Sequence, residues 1–98
     1  MTIENIVYFE LKHRRYDVYI GKNANKEIDF VATTRNEKLY VQVCDTLLAD
    51  SDREIENLLE IRDNYPKMVV TLDEYTKGNI EGVKIITLTN FLLAEKYN

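Results

Sequence analysis

Apolar and polar positions change their period several times along the chain, and each change marks an element. Ile3, Ile6, Val7 and Leu11 recur at helical spacing behind Thr2, whose hydroxyl suits the N-cap of a helix. Positions 3, 6, 7 and 10 fall on one stripe, which sets Glu10 among apolar residues. Burying an unpaired carboxylate is costly. Glu10 therefore needs a partner, water or a metal, and Arg14 at i+4 offers the simplest partner. Tyr16 to Ile20 predicts a short strand, ended by Gly21 and the polar turn Lys22-Asn23-Ala24-Asn25. Glu27-Ile28-Asp29-Phe30-Val31 and Leu39-Tyr40-Val41-Gln42-Val43-Cys44 alternate as strands with two unlike faces, joined by a turn around Arg35-Asn36-Glu37. Side chains two apart point the same way on a strand. Glu27, Asp29 and Val31 then share one face, and Tyr40, Gln42 and Cys44 share one face of the next strand. Paired as a hairpin, the two strands set an acid beside Gln42 and Cys44.

Asp50-Ser51-Asp52 supplies N-cap candidates for a second helix, along which Ile55, Leu58, Leu59 and Arg62 keep helical spacing until Asn64-Tyr65-Pro66 stops it. Met68 to Leu72 is apolar and β-branched, as a strand buried between helices should be. A polar loop, 73–82, leads to a strand from Val83 to Leu88, and Thr89-Asn90 opens a last short helix carrying Phe91, Leu92 and Leu93. The order is α-β-β-β-α-β-β-α, which predicts an α/β fold with a central mixed sheet flanked by helices. A right-handed crossover through the second helix places the following strand next to the three-strand meander.

Ninety-eight residues make one domain, 1–98, long enough to bury about two-thirds of its unfolded surface. No apolar run is long enough to cross a bilayer and no N-terminal signal pattern is present, so no membrane partner is expected. The single cysteine excludes an internal disulfide and fits a reducing cytoplasm. A formal charge of −4 argues against nucleic-acid binding through bulk electrostatics, although it leaves room for a local basic edge. Lys12-His13-Arg14-Arg15 is the one dense positive cluster, and it falls where cations complement the end of the first helix. Cys44 reads as a small buried hydrophobe, and one Cys with one His falls short of a zinc site. The tyrosines read as half-buried sheet and surface packing, and Asp50, Asp52 and Asp63 as caps and solvated charges.

An acid on one strand with Gln-x-Cys on the next resembles the Asp…Glu-x-Lys arrangement of PD-(D/E)XK metal-dependent nucleases, with the lysine missing. The element order resembles the restriction-endonuclease-like fold. Ile3-Glu4-Asn5-Ile6-Val7-Tyr8 with Glu10-Leu11, Tyr16-Asp17-Val18-Tyr19, Gly21-Lys22, Glu27 to Ala32 and Tyr40-Val41-Gln42-Val43 resemble one branch more closely. That branch is the C-terminal domain, long labelled as of unknown function, of a bacterial and archaeal AAA-type ATPase family. Arg53-Glu54, Asp63 to Lys67, Ile86-Thr87-Leu88 and Asn90 to Leu93 extend the resemblance over essentially the whole chain. It implies either a C-terminal fragment or a stand-alone version of that accessory domain, with the ATPase domain as its partner in the parent chain. The chain itself holds no G-x-x-x-x-G-K-[ST] loop and cannot hydrolyse ATP through one.

The resemblance also implies where a nuclease site would lie. Glu10 and Asp29 fall on the two acidic positions and would be the metal ligands, Gln42 falls on the third, and Cys44 stands in place of the lysine. Such a site holds Mg²⁺, which activates water and stabilises the charged phosphate. A glutamine brings a carbonyl oxygen without charge, and a thiol is a soft ligand unsuited to Mg²⁺. Lys22, or Lys26, would have to supply the missing cation from a neighbouring strand. The expected function is thus a catalytically degenerate module that binds nucleic acid or protein. A divergent Mg²⁺-dependent DNA nuclease and a domain that contacts only proteins are the alternatives.

Overall fold

In a computed structural model, which describes residues 1–23, 26–46, 51–74 and 78–97, Thr2 Oγ1 accepts from the Asn5 N–H at 3.2 Å and opens α1 (Ile3–His13). Ile3, Val7 and Leu11 are buried, so the stripe read from the sequence is the one that packs. Three antiparallel strands follow: β1 (Asp17–Asn23), β2 (Lys26–Thr33) and β3 (Lys38–Cys44). Then come α2 (Ser51–Leu59), β4 (Lys67–Thr71), β5 (Asn79–Ile80), β6 (Val83–Thr87) and α3 (Leu88–Leu93). One six-stranded mixed sheet results, in the order β1-β2-β3-β4-β6-β5, with β3, β4 and β6 parallel. The strand after α2, β4, lies next to the meander and parallel to β3.

The sheet carries helices on both faces. On one, α1 and α3 cover Ala32, Val41, Met68 and Val70, with Phe91 and Tyr97 completing the cluster. On the other, Ile55 and Leu58 of α2 pack on Val31, Tyr40, Val69 and Ile85. Cys44 is buried in that second cluster. Each fully buried Leu, Val or Phe of these layers contributes about 1.5–3 kcal/mol of hydrophobic stabilisation.

The basic cluster at the end of α1 also serves the core. Arg14 Nε bonds Glu10 Oε2 at 2.8 Å, which satisfies the acid on the stripe. Its Nη2 donates to the carbonyls of Phe91 (3.3 Å) and Leu92 (3.2 Å) near the end of α3, and its guanidinium lies 4.3 Å from the Tyr97 ring centre. Burial pushes the Tyr97 hydroxyl well above its ordinary range, although Arg14 pulls the other way.

Several boundaries differ from the pattern. β1 continues through Gly21 because Gly21, Lys22 and Asn23 pair with Ile28, Glu27 and Lys26. The polar loop 73–82 contains β5, paired antiparallel to β6. A two-residue strand is too short to show a period. Glu81 (φ 52°) and Gly82 (φ 90°) make its tight turn, and the Asn79 side chain accepts from the Gly82 N–H at 3.0 Å. Helix α2 stops at Leu59, so Arg62 lies beyond it; the Ile61 N–H reaches back to the Leu58 carbonyl at 3.1 Å. Asp50 lies outside the described residues, as do the side chains of Ser51 and Asp52.

Candidate site at the β2–β3 junction

The register places one residue, Ile20, between Tyr19 and Gly21 of β1, opposite two residues, Asp29 and Phe30, between Ile28 and Val31 of β2. This is a β-bulge, and the extra residue breaks the period of two. Ile28 and Val31 therefore pack on the same face, against α2, and Phe30 and Ala32 pack on the other. The expectation that Glu27, Asp29 and Val31 share a face is corrected by that one residue.

The bulge also explains what Asp29 and Gln42 do. Register between β2 and β3 runs from Thr33↔Lys38 to Phe30↔Val41. One step further, side chains replace the backbone ladder: Asp29 Oδ2 accepts from the Val43 N–H at 2.8 Å, and Gln42 Oε1 accepts from the Asp29 N–H at 2.7 Å. Two backbone donors that the bulge leaves without a carbonyl are thereby satisfied. Gln42 is 1% exposed, and a neutral amide tolerates that burial better than a carboxylate. Burial raises the Asp29 pKa above the ordinary carboxylate range. The charges of Glu4 and Glu27 add to the rise, and the bond from Val43 opposes it.

The structure thus joins Asp29 to Gln42 and leaves the other expected site residues elsewhere. Glu10 is held by Arg14 beside α3. The α1 acid whose charge acts on Asp29 is Glu4, six residues earlier and about 9 Å back along the helix at 1.5 Å per residue. Nothing in the apolar stripe marks Glu4, which is exposed; the bulge's position relative to the start of α1 makes it Asp29's neighbour. Lys22 is exposed and opposite Glu27 in the register, and Lys26 is paired with Glu60 at 2.7 Å. Neither lysine bonds Asp29.

The donor set does not fit a divalent cation. The Gln42 carbonyl oxygen and one Asp29 oxygen already accept from backbone N–H groups, and Glu10 is engaged with Arg14. Among the described residues no group of three or more His, Cys, Asp or Glu side chains converges to hold a metal.

A second polar cluster lies further along β3. The Tyr40 hydroxyl donates to Asp63 Oδ2 at 2.6 Å, and Lys67 Nζ bonds Asp63 Oδ1 at 3.0 Å. Burial alone would raise the Asp63 pKa, but the Tyr40 hydroxyl, Lys67 and the Tyr65 N–H outweigh it and hold the carboxyl below its usual range. Asp63, read from the sequence as a cap or a solvated charge, thus ties β3 to the segment entering β4. Lys38 Nζ stands over the rings of Tyr40 and Tyr65, 5.2 and 5.5 Å from their centres. Beside it opens a groove of about 180 Å³, bounded by Tyr19, Lys22, Ile28, Val31, Lys38, Tyr40 and Ile61.

The chain is similar to an uncharacterized protein of Haemophilus influenzae, 43% identical over 91 residues. The match takes in 93% of this chain and 22% of that protein, so the chain spans about a fifth of the length of the curated relative. No protein-family model matches the chain. Among the described residues no helix is long and apolar enough to cross a membrane.

Proposed function

We propose that this domain is a catalytically degenerate member of the PD-(D/E)XK group, restriction-endonuclease-like in fold. In this reading it serves as a binding module beside an AAA-type ATPase domain of a longer polypeptide. The observation that carries the reading is the pair of bonds in which Gln42 Oε1 accepts from the Asp29 N–H and Asp29 Oδ2 accepts from the Val43 N–H, so that the two residues at nuclease-like positions complete a β-ladder instead of presenting oxygens to a metal. Support also comes from the antiparallel meander running into parallel β3, β4 and β6. The greater length of the Haemophilus relative leaves room for an ATPase domain outside the matched fifth.

The test is incubation of the purified protein, and of Asp29→Ala, with plasmid and branched DNA in Mg²⁺ or Mn²⁺. Neither protein should cleave. Cleavage by the unaltered chain that Asp29→Ala abolishes would overturn the reading and restore a metal-dependent nuclease. A role in protein contact alone is favoured by one feature: Phe9 (57% exposed) and Ile20 (67% exposed) lie open to solvent near the Tyr8–Phe30 ring pair. Salt-dependent affinity for nucleic acid separates the two roles, because phosphate contacts weaken as salt rises.

A further inference from the structure

Two strands end the sheet, and they end it differently. β5 is two residues long, and shortness is one way natural sheets keep an edge from pairing with another chain. β1 is seven residues long, and no strand of the described residues pairs with its outer side. It holds no proline and its one lysine is next to last. The bulge lies in β2, so β1 itself keeps a regular alternation. Val18 packs toward α1, and Ile20 and Lys22 share that face. A Cβ on Gly21 would point at Ile28 and Val31, so Tyr19 and Gly21 share the face toward α2. Ile20, at the midpoint of the strand, is 67% exposed and lies beside the Tyr8–Phe30 ring pair.

An extended strand adds to such an edge through its backbone N–H and C=O groups, and the strand that fits is β1 itself. Antiparallel pairing with β1 of a second copy, about a two-fold axis at Ile20, uses the whole strand. Ile20 then meets Ile20, Tyr19 meets Gly21, Val18 meets Lys22, and Asp17 stands opposite Asn23. Each opposed pair lies on one face of the joined sheets, as an antiparallel ladder requires. The charged residues of the strand, Asp17 and Lys22, both fall opposite uncharged positions, so no charge meets its own sign. Gly21 carries no side chain to block the Tyr19 ring of the second copy, and a ring covering a glycine across strands is a stabilising pair. A two-fold axis on Tyr19 or Gly21 would pair five residues instead of seven.

We propose that β1 is a self-association edge, through which two copies of this chain join their sheets into one. The proposal goes beyond the binding role given above and stands whether or not the domain cleaves DNA. Tyr19 and Ile20 together leave about 200 Å² open on each copy, against about 800 Å² per partner in a standard interface, so the dimer is weak, with a Kd on the order of 0.1 mM.

Sedimentation equilibrium of the 98-residue chain, over a concentration series spanning that Kd, tests it. The expected result is a reversible monomer–dimer equilibrium with nothing larger, because a two-fold contact closes at two. Ile20→Lys sets like charges against each other at the axis and should weaken the dimer about tenfold or more, and Ile20→Glu should do the same. Mixed in equal amounts, the two variants should associate again, because in this register position 20 meets only itself. Leu93→Lys, at an open position of α3, should change nothing. The proposal is overturned if the chain stays monomeric, which would leave the edge to a strand of another polypeptide, or if assembly continues beyond two copies. It is equally overturned if Ile20→Lys associates like the unaltered chain, or if the mixture associates no better than its parts. Circular dichroism of each variant distinguishes lost association from lost folding. Tyr19→Ala, which removes the ring over Gly21 and should also weaken the dimer, keeps the test open should a charge at position 20 misfold.

Discussion

Replacing Asp29 separates its two contributions, because alanine and asparagine remove different things. Asp29→Ala takes away the oxygen that accepts from Val43 N–H at 2.8 Å, next to a side chain only 7% exposed. A hydrogen bond to a charged acceptor is worth about 1.5–3 kcal/mol, and an orphaned buried donor costs about 1–3 kcal/mol. Set against this is relief from burying a carboxylate whose pKa is raised by burial and by Glu4 and Glu27. The net loss for alanine at pH 7 should be about 1–2 kcal/mol, or roughly 5–12 °C in Tm for a domain of this size. Asp29→Asn keeps a neutral acceptor and removes the burial cost, so it should lie within about 0.5 kcal/mol of the unaltered chain at pH 7. The pH dependence follows from the raised pKa. Between the unfolded and folded values the native state binds more protons, so the stability linked to Asp29 falls as pH rises through that window. Lowering the pH from neutral toward the ordinary carboxylate range should therefore stabilise the unaltered chain relative to Asp29→Asn. Urea melts of the three proteins at several pH values measure this, with amide exchange at Val43 as a local probe. Equal stability of all three at every pH would refute the claim that Asp29 closes the ladder.

A Cβ on Gly21 would overlap Val31 Cγ2 and come within 3.3 Å of Ile28 Cβ, so Gly21→Ala should lower the urea midpoint by an amount equivalent to about 1–3 kcal/mol. Arg14→Ala should destabilise by about 2–4 kcal/mol, because it orphans the half-buried Glu10 and removes the donors to Phe91 and Leu92 along with the stack on Tyr97. Arg14→Lys should recover only part of that loss in thermal melts, since an ammonium cannot serve the acid, the carbonyls and the ring in one plane.

The local features of this chain were legible for a physical reason: each depends on residues a few positions apart. Thr2 caps α1 through Asn5, three residues on, and Glu10 meets Arg14 because i and i+4 are neighbours on a helix. Strand alternation from Leu39 to Cys44 was likewise enough to assign β3 and its two faces. The candidate site was half legible. Alternation sets Asp29 beside Gln42 across the hairpin, where the two are hydrogen-bonded, whereas the α1 carboxylate whose charge acts on Asp29 is Glu4, almost two turns of helix from Glu10. Periodicity ranks positions on one element and does not say which turn of α1 lies over which rung of the sheet.

The sequence by itself determined the α/β class, the element order up to β5 and the helix faces that pack. Tertiary structure alone decided the bulge opposite Ile20, the use of Asp29 and Gln42 as ladder rungs, and the reach of Arg14 to carbonyls 77 and 78 residues away. It also decided that α2 packs across β2, β3, β4 and β6. An extra residue in a strand, or an end of one left open, exists only relative to a neighbour that folding brings alongside, and hydrophobic period along a single chain carries no record of that neighbour.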